Sequence, residues 1–400
     1  MIEDTVRTAI RQTAAQVSQT DLAPLDLGQK PQFTGPRSTM ARPLTALSAA
    51  AAMIVLVIGV VVAGSAVRHA GDSGQSAAKP SGPPRYFVDL SFSAATGVER
   101  DRADIVDSLT GKVIAFAPVP KPYGSFTEAA AAANDRTFVL AAQTETHGPH
   151  WLSKLFVLRF DPVRKTASLR PLRFTFPATL NGRKVSWVGQ GLALTPDGTE
   201  LAIAASPFER AHVSHVWTYS MASGTSRSWH SPGEIGLRLY DSRAISWSGD
   251  DRTLSYLWSS EPSGLRSMQL LNTAAPQGDL ISHSRKLVKI AAPGFAPWRD
   301  ADLTPDGSKL VAAVQAKVPT IEVLPGSPSG HATKSLDRLI QLSLPAHHRL
   351  FDVLWTNSAA SAMVVSVVDR HGNPTLMLLR GHKLVKLSHL KRVGSDTTAW

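Results

Sequence analysis

The sequence predicts an all-β fold, a six-bladed β-propeller with seven blades as the alternative, preceded by one transmembrane helix and a short amphipathic helix. Two observations support this prediction. Residues 44–67 form a run of 24 residues without a charged side chain. Residues 85–400 repeat a strand–turn–strand pattern at a spacing of roughly 50 residues, which is typical of propellers with one blade per repeat.

Residues 1–43 are predicted to form a short cytoplasmic segment. Residues 19–43 contain four prolines and two glycines, so they read as a flexible tether. Residues 1–18 predict an amphipathic helix that lies on the inner membrane surface or against a partner helix, or that is only marginally stable because it is short. The apolar residues on one stripe of this helix are Ile2, Val6, Ile10, Ala14 and Val17.

The uncharged run 44–67 is predicted to cross the lipid bilayer once. As a helix it would be about 36 Å long, which is enough for a hydrocarbon core of about 30 Å. Basic residues are more frequent before the run than after it, and this bias favours a cytoplasmic N-terminus and an extracytoplasmic C-terminal domain in the cell membrane. These basic residues are Lys30, Arg37 and Arg42 before the run, and Arg68 and Lys79 after it.

Two further features of this region leave alternatives open. The small residues 63–66 would suit a signal peptidase, so cleavage of the apolar run is the alternative to a permanent anchor. The small residues Gly59 and Ala63 form a weak small-xxx-small match, which suggests a weak homodimer contact between helices. Residues 68–84 are rich in Gly, Ser and Pro and are predicted to be a linker with an r.m.s. span of roughly 20 Å.

The composition restricts the chemistry of the domain at 85–400. The chain has no cysteine, which excludes disulfides, thiolate metal sites, iron–sulfur clusters and cysteine nucleophiles. The net charge is +11, of which residues 85–400 contribute +9. A basic exported domain is suited to anionic lipid headgroups or anionic envelope polymers. The bases are scattered along the sequence without the cluster of a nucleic-acid site, and solubility alone is the alternative explanation.

Five copies of the repeat are recognisable within residues 85–400. Each copy has an apolar strand, a tight turn and a second apolar strand, and two further strand candidates complete a four-stranded blade. Where the turn reads Pro-Asp-Gly, the glycine supplies the positive φ of a tight hairpin and the proline fixes the preceding φ. The turn positions are Asn134, Asp197, Asp250, Asp306 and Ser358.

The first repeat contains only three strand candidates, at residues 86–92, 103–108 and 112–118. Its innermost strand would fall in the linker, where the sequence is unsuitable. Residues 396–400 resemble the start of other repeats up to their tryptophan. We therefore expect residues 396–400 to supply the innermost strand of the first blade, which closes the ring and removes its exposed edges.

The pattern Leu-Thr-Pro-Asp-Gly-x-x-Leu-Ala at 194–202, with valine in the last position of the copy at 303–311, resembles the TolB-like and WD-repeat propellers. This resemblance implies a propeller fold and a role in protein contacts, as is common among such propellers. The Trp-Asp dipeptide is missing, which argues against the eukaryotic scaffold subclass. The order of short helix, tether, membrane span and exported propeller also resembles single-pass bacterial envelope proteins, some of which accompany sigma factors.

Two histidine pairs are the candidate metal ligands. They lie between the second and third strands of neighbouring blades, so we expect both pairs to emerge at the same end of the propeller, where neutral imidazoles and nearby glutamates can bind a divalent cation. The alternative is that these loops are simply polar. The pairs are His147 with His150 and His212 with His215, and the glutamates are Glu145, Glu209 and Glu261.

No residue is predicted to be catalytic or to bind a cofactor. Asp197 and Asp306 occupy repeat positions that mark them as turn formers. No Gly-x-Ser-x-Gly elbow, phosphate-binding loop, HExxH helix or EF-hand pattern occurs. Trp187, Trp247, Trp298 and Trp355 fall at or near strand ends and are expected to pack in the core.

The sequence therefore favours a membrane-anchored binding or sensory module. Its partners would be the bilayer through residues 44–67 and a protein or an anionic envelope polymer outside, and no nucleic acid. A more specific version is a regulator of a sigma factor, although the zinc-binding His/Cys motif of many anti-sigma domains is absent. The alternatives are a metal-dependent hydrolase or lactonase of the propeller type, and a structural accessory in envelope assembly.

Overall fold

A computed structural model describes residues 83–90, 102–144, 152, 154–208, 213–235, 245–260, 265–290, 298–314, 318–326, 338–371, 374–387 and 398–400. The predicted amphipathic helix, the predicted membrane span and nearly all of the predicted linker lie outside these residues. Within the described ranges, no helix is long and apolar enough to cross a membrane.

The described strands of the first half of the domain form three blades. Blade 1 contains β1 (Tyr86–Asp89), β2 (Arg102–Asp107) and β3 (Val113–Pro118). Blade 2 contains β4 (Tyr123–Ala131), β5 (Thr137–Thr144), β6 (Lys154–Asp161) and β7 (Thr166–Pro171). A small hairpin of β8 (Thr179–Leu180) and β9 (Arg183–Lys184) follows. Blade 3 contains β10 (Trp187–Leu194), β11 (Glu200–Pro207), β12 (Val213–Ser220) and β13 (Ser226–Pro232).

The second half forms three more blades. Blade 4 contains β14 (Glu234–Ile235), β15 (Ile245–Trp247), β16 (Thr253–Ser260), β17 (Leu265–Asn272) and β19 (Ser284–Ile290), while β18 (Gly278–Asp279) pairs in parallel with β13 of blade 3. Blade 5 contains β20 (Trp298–Leu303), β21 (Lys309–Val314), β22 (Thr320–Pro325) and β23 (Arg338–Gln341). Blade 6 contains β24 (Arg349–Thr356), β25 (Ala362–Val368), β26 (Pro374–Arg380) and β27 (Lys383–Lys386).

The ring closes as the sequence predicts. The two-residue strand β28 (Thr398–Ala399) pairs antiparallel with β1, with Val88 opposite Ala399. It therefore completes blade 1 from the inside as a fourth strand. The described part of the domain is an all-β, six-bladed propeller, and the six-bladed prediction is confirmed against the seven-bladed alternative.

Apolar clusters lie between each pair of neighbouring blades, including blades 6 and 1. The strand β11 shows how the sequence produces this packing. Leu201 and Ile203 face blade 2, whereas Ala202 and Ala204 face blade 4. The sequence indicated burial of at least one face, and the structure buries both, because every middle strand lies between two blades. Small alanines on one face allow the next sheet to approach closely.

The predicted turn formers occupy the hairpins between the first and second strands. Asp197 accepts a hydrogen bond from the Thr195 hydroxyl at 2.7 Å, and Asp306 accepts one from Thr304 at 2.8 Å. Gly198 of this turn has a φ of 75°, which only glycine adopts without strain. In blade 6 the bonding role belongs to Asn357, whose side-chain oxygen accepts from the Ser361 amide at 2.8 Å. The predicted position Ser358 is therefore one residue away from the residue that holds this turn.

Candidate functional site

The two ends of the propeller differ in their connections. The turns at 132–136, 195–199, 248–252, 304–308 and 357–361 lie at one end of the ring, which we call the turn end. Because neighbouring strands are antiparallel, the opposite end is where β4, β6, β10 and β12 begin and where β3, β7 and β13 end. We call it the loop end. It is the end at which the predicted histidine pairs were expected.

His215 is the one predicted histidine ligand within the described residues. It lies inside strand β12 and is only 7% exposed. Its ring stacks on Trp217, with ring centroids 5.4 Å apart, and it meets the edge of Trp187 at 4.9 Å. The prediction that this histidine emerges on a loop is therefore wrong. The strand begins at Val213, and odd positions along it point into the aromatic cluster between blades 2 and 3.

Burial determines the charge of His215. Desolvation, assisted by the nearby His230, lowers the pKa of His215 from about 6.5 to about 4. The two imidazole rings are stacked with their centroids 5.1 Å apart. The Nε2 atom of His215 has no hydrogen-bond partner among the described residues. At neutral pH this side chain is therefore a neutral part of an aromatic core.

The described residues contain no group of three His, Cys, Asp or Glu side chains that could hold a metal ion. The other residues of the predicted site lie outside the described ranges, so metal binding at the loop end stays a prediction. These residues are His147, His150, His212, Glu145, Glu209 and Glu261.

The tryptophans act as interior residues where their side chains are described. Trp187 is buried and its indole donates to the Pro177 carbonyl at 2.8 Å. Trp247 is buried and donates to the carbonyl of Ala193 in the neighbouring blade at 3.1 Å. Trp355 packs, partly buried, against the cluster between blades 1 and 6. The prediction of core packing is confirmed for these residues.

Charge is ordered radially in the described strands. The outer strands are the fourth strands of the blades, β3, β7, β13, β19, β23 and β27, and they contain eight Lys or Arg residues and no Asp or Glu, although the two-residue β18 outside β13 holds Asp279. The innermost strands β28, β4, β10, β15, β20 and β24 contain four acidic residues and two basic ones. Among the inner acids, Glu128 and Asp352 are buried. The propeller therefore has a basic circumference around a more acidic interior.

Five of the outer-strand bases are exposed, and we call these five residues the basic rim. They lie on blades 2, 4 and 6, and they are Arg170, Arg285, Lys286, Lys383 and Lys386. Two other outer arginines are engaged within the protein, since Arg227 donates to the Ala275 carbonyl at 2.6 Å and Arg338 donates to the Ala360 carbonyl. Among the outer-strand bases whose side chains the structure describes, the rim residues are therefore the ones exposed to solvent.

This order is not visible in the sequence, where the basic residues look scattered because they are far apart along the chain. Once each repeat is divided into four strands, the absence of acids from every fourth strand becomes visible. The small two-residue strand β18 contributes Asp279 beside β13, and it lies outside the four-stranded repeat.

No family model matches the chain, and no curated protein matches it. Among solved structures it is similar to a protein provisionally named TolB from Agrobacterium tumefaciens, with 14% identity over 76% of this chain and 89% of that one, and a TM-score of 0.44. TolB from Acinetobacter baumannii shares 12% identity over 79% of this chain and 65% of its own, with a TM-score of 0.40. A protein provisionally named 6-phosphogluconolactonase from Bacteroides uniformis shares 13% identity over 78% and 98%, also with a TM-score of 0.40. At these values the comparison assigns neither a family nor an activity.

Proposed function

We propose that this protein is a membrane-anchored, extracytoplasmic binding module whose propeller binds an anionic envelope polymer through its basic rim. The observation that supports the proposal is the composition of the outer strands, which contain eight bases and no acids. Residues 44–67 supply the anchor in this proposal, with the N-terminus in the cytoplasm. No catalytic step is part of it.

Protection of sheet edges is the competing explanation for the rim. Lysines on an edge strand discourage edge-to-edge pairing with another molecule. Acidic side chains would serve the same purpose, so edge protection does not explain why the outer strands lack them. An anionic polymer that contacts several blades explains the single sign of charge, because each base then gains a counter-charge along the chain of the polymer.

The position of the rim suits a long ligand better than a compact one. The exposed bases belong to blades 2, 4 and 6. A small anion would contact one blade, whereas a flexible polymer can reach several and gain affinity from their linkage. Contacts of this kind are weakened by salt, because the Debye length falls to about 8 Å at physiological ionic strength.

The test uses the full chain in nanodiscs of neutral lipid. Poly(ribitol phosphate) serves as the anionic probe and dextran as the neutral one. We expect saturable binding of the phosphate polymer that weakens with added sodium chloride, and no binding of dextran. Substitution of four rim residues by glutamine should lower the affinity by about ten-fold or more. The four substitutions are Arg285→Gln, Lys286→Gln, Lys383→Gln and Lys386→Gln.

A matched control removes the same charge elsewhere on the surface. Arg164 and Lys165 are exposed in the turn between β6 and β7, and Arg183 and Lys184 are exposed in β9. Their replacement by glutamine changes the net charge equally but leaves the rim intact. Equal losses in the two variants would show that net charge alone attracts the polymer, and they would contradict the proposal.

The sensory form of the proposal adds a cytoplasmic role for residues 1–18. Polymer binding outside would be reported inside through the anchor, for example to a regulator of transcription such as a sigma factor. Deletion of residues 1–30 separates the two roles. The binding module requires that the deletion leave polymer affinity unchanged, and the sensory form requires that it alter the cellular response to envelope damage.

A further inference from the structure

A groove of about 580 Å³ lies at the loop end, between the outer strands of blades 1 and 2. Its walls are the end of β3, the connection to β4, the first residues of β4 and β6, and the inward face of β7. Most of the side chains that line it are apolar. The lining residues that matter here are Tyr123, Phe156, Leu169 and two lysines, Lys121 and Lys154.

The apolar wall is partly open to solvent. Tyr123 and Leu169 are half-buried, whereas the Phe116 ring lies on the opposite face of β3, beside Arg102. Tyr123 packs edge-on against Phe156 with their ring centroids 5.5 Å apart, so the groove has an aromatic floor. Each exposed Å² of such a surface costs about 25 cal/mol relative to a buried one. A ligand that covers Tyr123 and Leu169 recovers this free energy.

The charged residues that line the groove are both cationic. Lys121 is exposed, and Lys154 is half-buried with its Nζ 3.3 Å from the Phe174 carbonyl oxygen, which engages one of its three protons. No Asp or Glu belongs to the described lining. Arg102 lies over the Phe116 ring, 5.4 Å from its centroid, but it is already paired with Asp104 at 2.9 Å. The groove thus combines an apolar floor with two cations that can accept an anion.

The wall between the two blades is held in place before any ligand binds. Four prolines, which each fix φ, line the groove, and the amide of Tyr123 donates to the Pro120 carbonyl at 3.0 Å. A preformed wall reduces the ordering cost of binding. The prolines are Pro118, Pro120, Pro122 and Pro171.

We infer that this groove is a binding site for a small apolar carboxylate, such as an aromatic or medium-chain carboxylic acid. The apolar body covers Tyr123 and Leu169, and the carboxylate lies between Lys121 and Lys154. The volume is within the range of about 300–1,000 Å³ that is usual for small-molecule sites. The site is separate from the basic rim, whose residues do not line the groove except through their shared strand β7.

The experiment uses the full chain in nanodiscs of neutral lipid, with empty nanodiscs as the background. Naphthalene-2-carboxylate is the anionic probe, and 2-naphthalenemethanol is a neutral probe with the same rings. Binding is measured by saturation-transfer NMR and by equilibrium dialysis at neutral pH. We expect the carboxylate to bind more tightly than the alcohol, since only the carboxylate gains the charge-assisted bonds to the lysines.

Two variants locate the site. The double variant Lys121→Met/Lys154→Met keeps the aliphatic stems, so it should lower carboxylate affinity by about ten-fold while leaving the alcohol unchanged. Leu169→Ala should weaken both probes. The control is Lys112→Met, which removes an exposed lysine that precedes β3 and belongs neither to the groove nor to the basic rim. This control should change neither affinity by more than about two-fold.

Several outcomes would overturn the inference. One is equal binding of the carboxylate by the wild-type chain and by the double lysine variant. Another is the absence of carboxylate binding to the wild-type chain. This outcome would count against the inference even if another part of the chain or a second copy covers the groove. Tighter binding of a peptide with a C-terminal carboxylate than of the naphthalene probe would assign the groove to a protein partner instead. Loss of polymer binding at the basic rim would leave the inference unaffected, because the two sites share no residue.

Discussion

The imidazole of His215 lies parallel to the indole of Trp217, with 5.4 Å between the ring centroids and 14° between the planes. Trp187 packs against the same imidazole in a T-shaped arrangement, with ring centroids 4.9 Å apart. This packing leaves no room for the hydration shell of an imidazolium. The neutral ring is therefore the form that the folded propeller accommodates, and it ties the stability of blade 3 to pH.

The first prediction concerns acid stability. The pKa of His215 is about 4 in the folded chain and about 6.5 when unfolded, so the unfolded state binds more protons between these values. The free energy of unfolding should therefore fall as the pH drops from about 6.5 to 4, by up to about 3 kcal/mol. Urea unfolding of the full chain in detergent, followed by tryptophan fluorescence at several pH values, measures this dependence.

The substitution His215→Phe removes the titrating group and keeps an aromatic ring in the cluster. It should flatten the stability curve between pH 6.5 and 4. An undiminished slope in His215→Phe would show that other groups govern acid unfolding.

A second prediction concerns the contact between the turns of blades 4 and 5. A Cβ atom at Gly249 would lie 2.2 Å from the Pro305 carbonyl oxygen and 2.9 Å from the Asp306 Cα. Both atoms belong to the backbone, so neither can rotate away. Gly249→Ala should destabilise the propeller by about 2–3 kcal/mol, measured by urea unfolding.

Gly381 is the matched control for this substitution. A Cβ there would meet nothing within 4 Å, and the cost of alanine is limited to its positive φ of 60°, about 1 kcal/mol. If Gly381→Ala proves as damaging as Gly249→Ala, the close approach of the two turns is not the cause.

Local chemistry explains what the sequence predicted well. Asp197 and Asp306 form the same turn in different blades because a threonine two residues earlier donates to each carboxylate. Such turns depend on a few adjacent residues, so they can be read from the chain. The closing strand was predictable for a related reason, since the first repeat lacked one strand and residues 396–400 matched the missing one.

Relationships between blades could not be predicted from the sequence. His215 was assigned to a loop because nothing in the local pattern marks the start of β12 at Val213. The order of the rim depends on which strand of each blade is outermost, so Arg170 and Lys386 share a role although more than 200 residues separate them. The groove lies between β3 and β7. Its two lysines line one groove only because the fold places blades 1 and 2 side by side.

The third prediction concerns ring closure. Trp400 stacks on Phe87 with ring centroids 4.2 Å apart and planes within 10°, directly beside the pairing of β28 with β1. Trp400→Ala removes this stack and should lower the free energy of unfolding by about 2–3 kcal/mol. Trp400→Phe retains an aromatic partner and should recover more than half of the loss. If Trp400→Ala leaves the free energy of urea unfolding unchanged, ring closure does not depend on this contact.

The fourth prediction concerns the anchor. If residues 44–67 span the membrane, the full chain should stay in the membrane fraction after alkaline carbonate extraction, and external protease should digest the propeller but spare residues 1–43. Substitution of Ile54 and Val57 by arginine places two charges near the centre of the run, at a cost of about 2.5–3.5 kcal/mol each. This variant should lose membrane retention, whereas Ile54→Leu with Val57→Leu should keep it.

Release of wild-type protein with a new N-terminus near residues 63–66 would show instead that the run is a cleaved signal, and the cytoplasmic role of residues 1–18 would be abandoned.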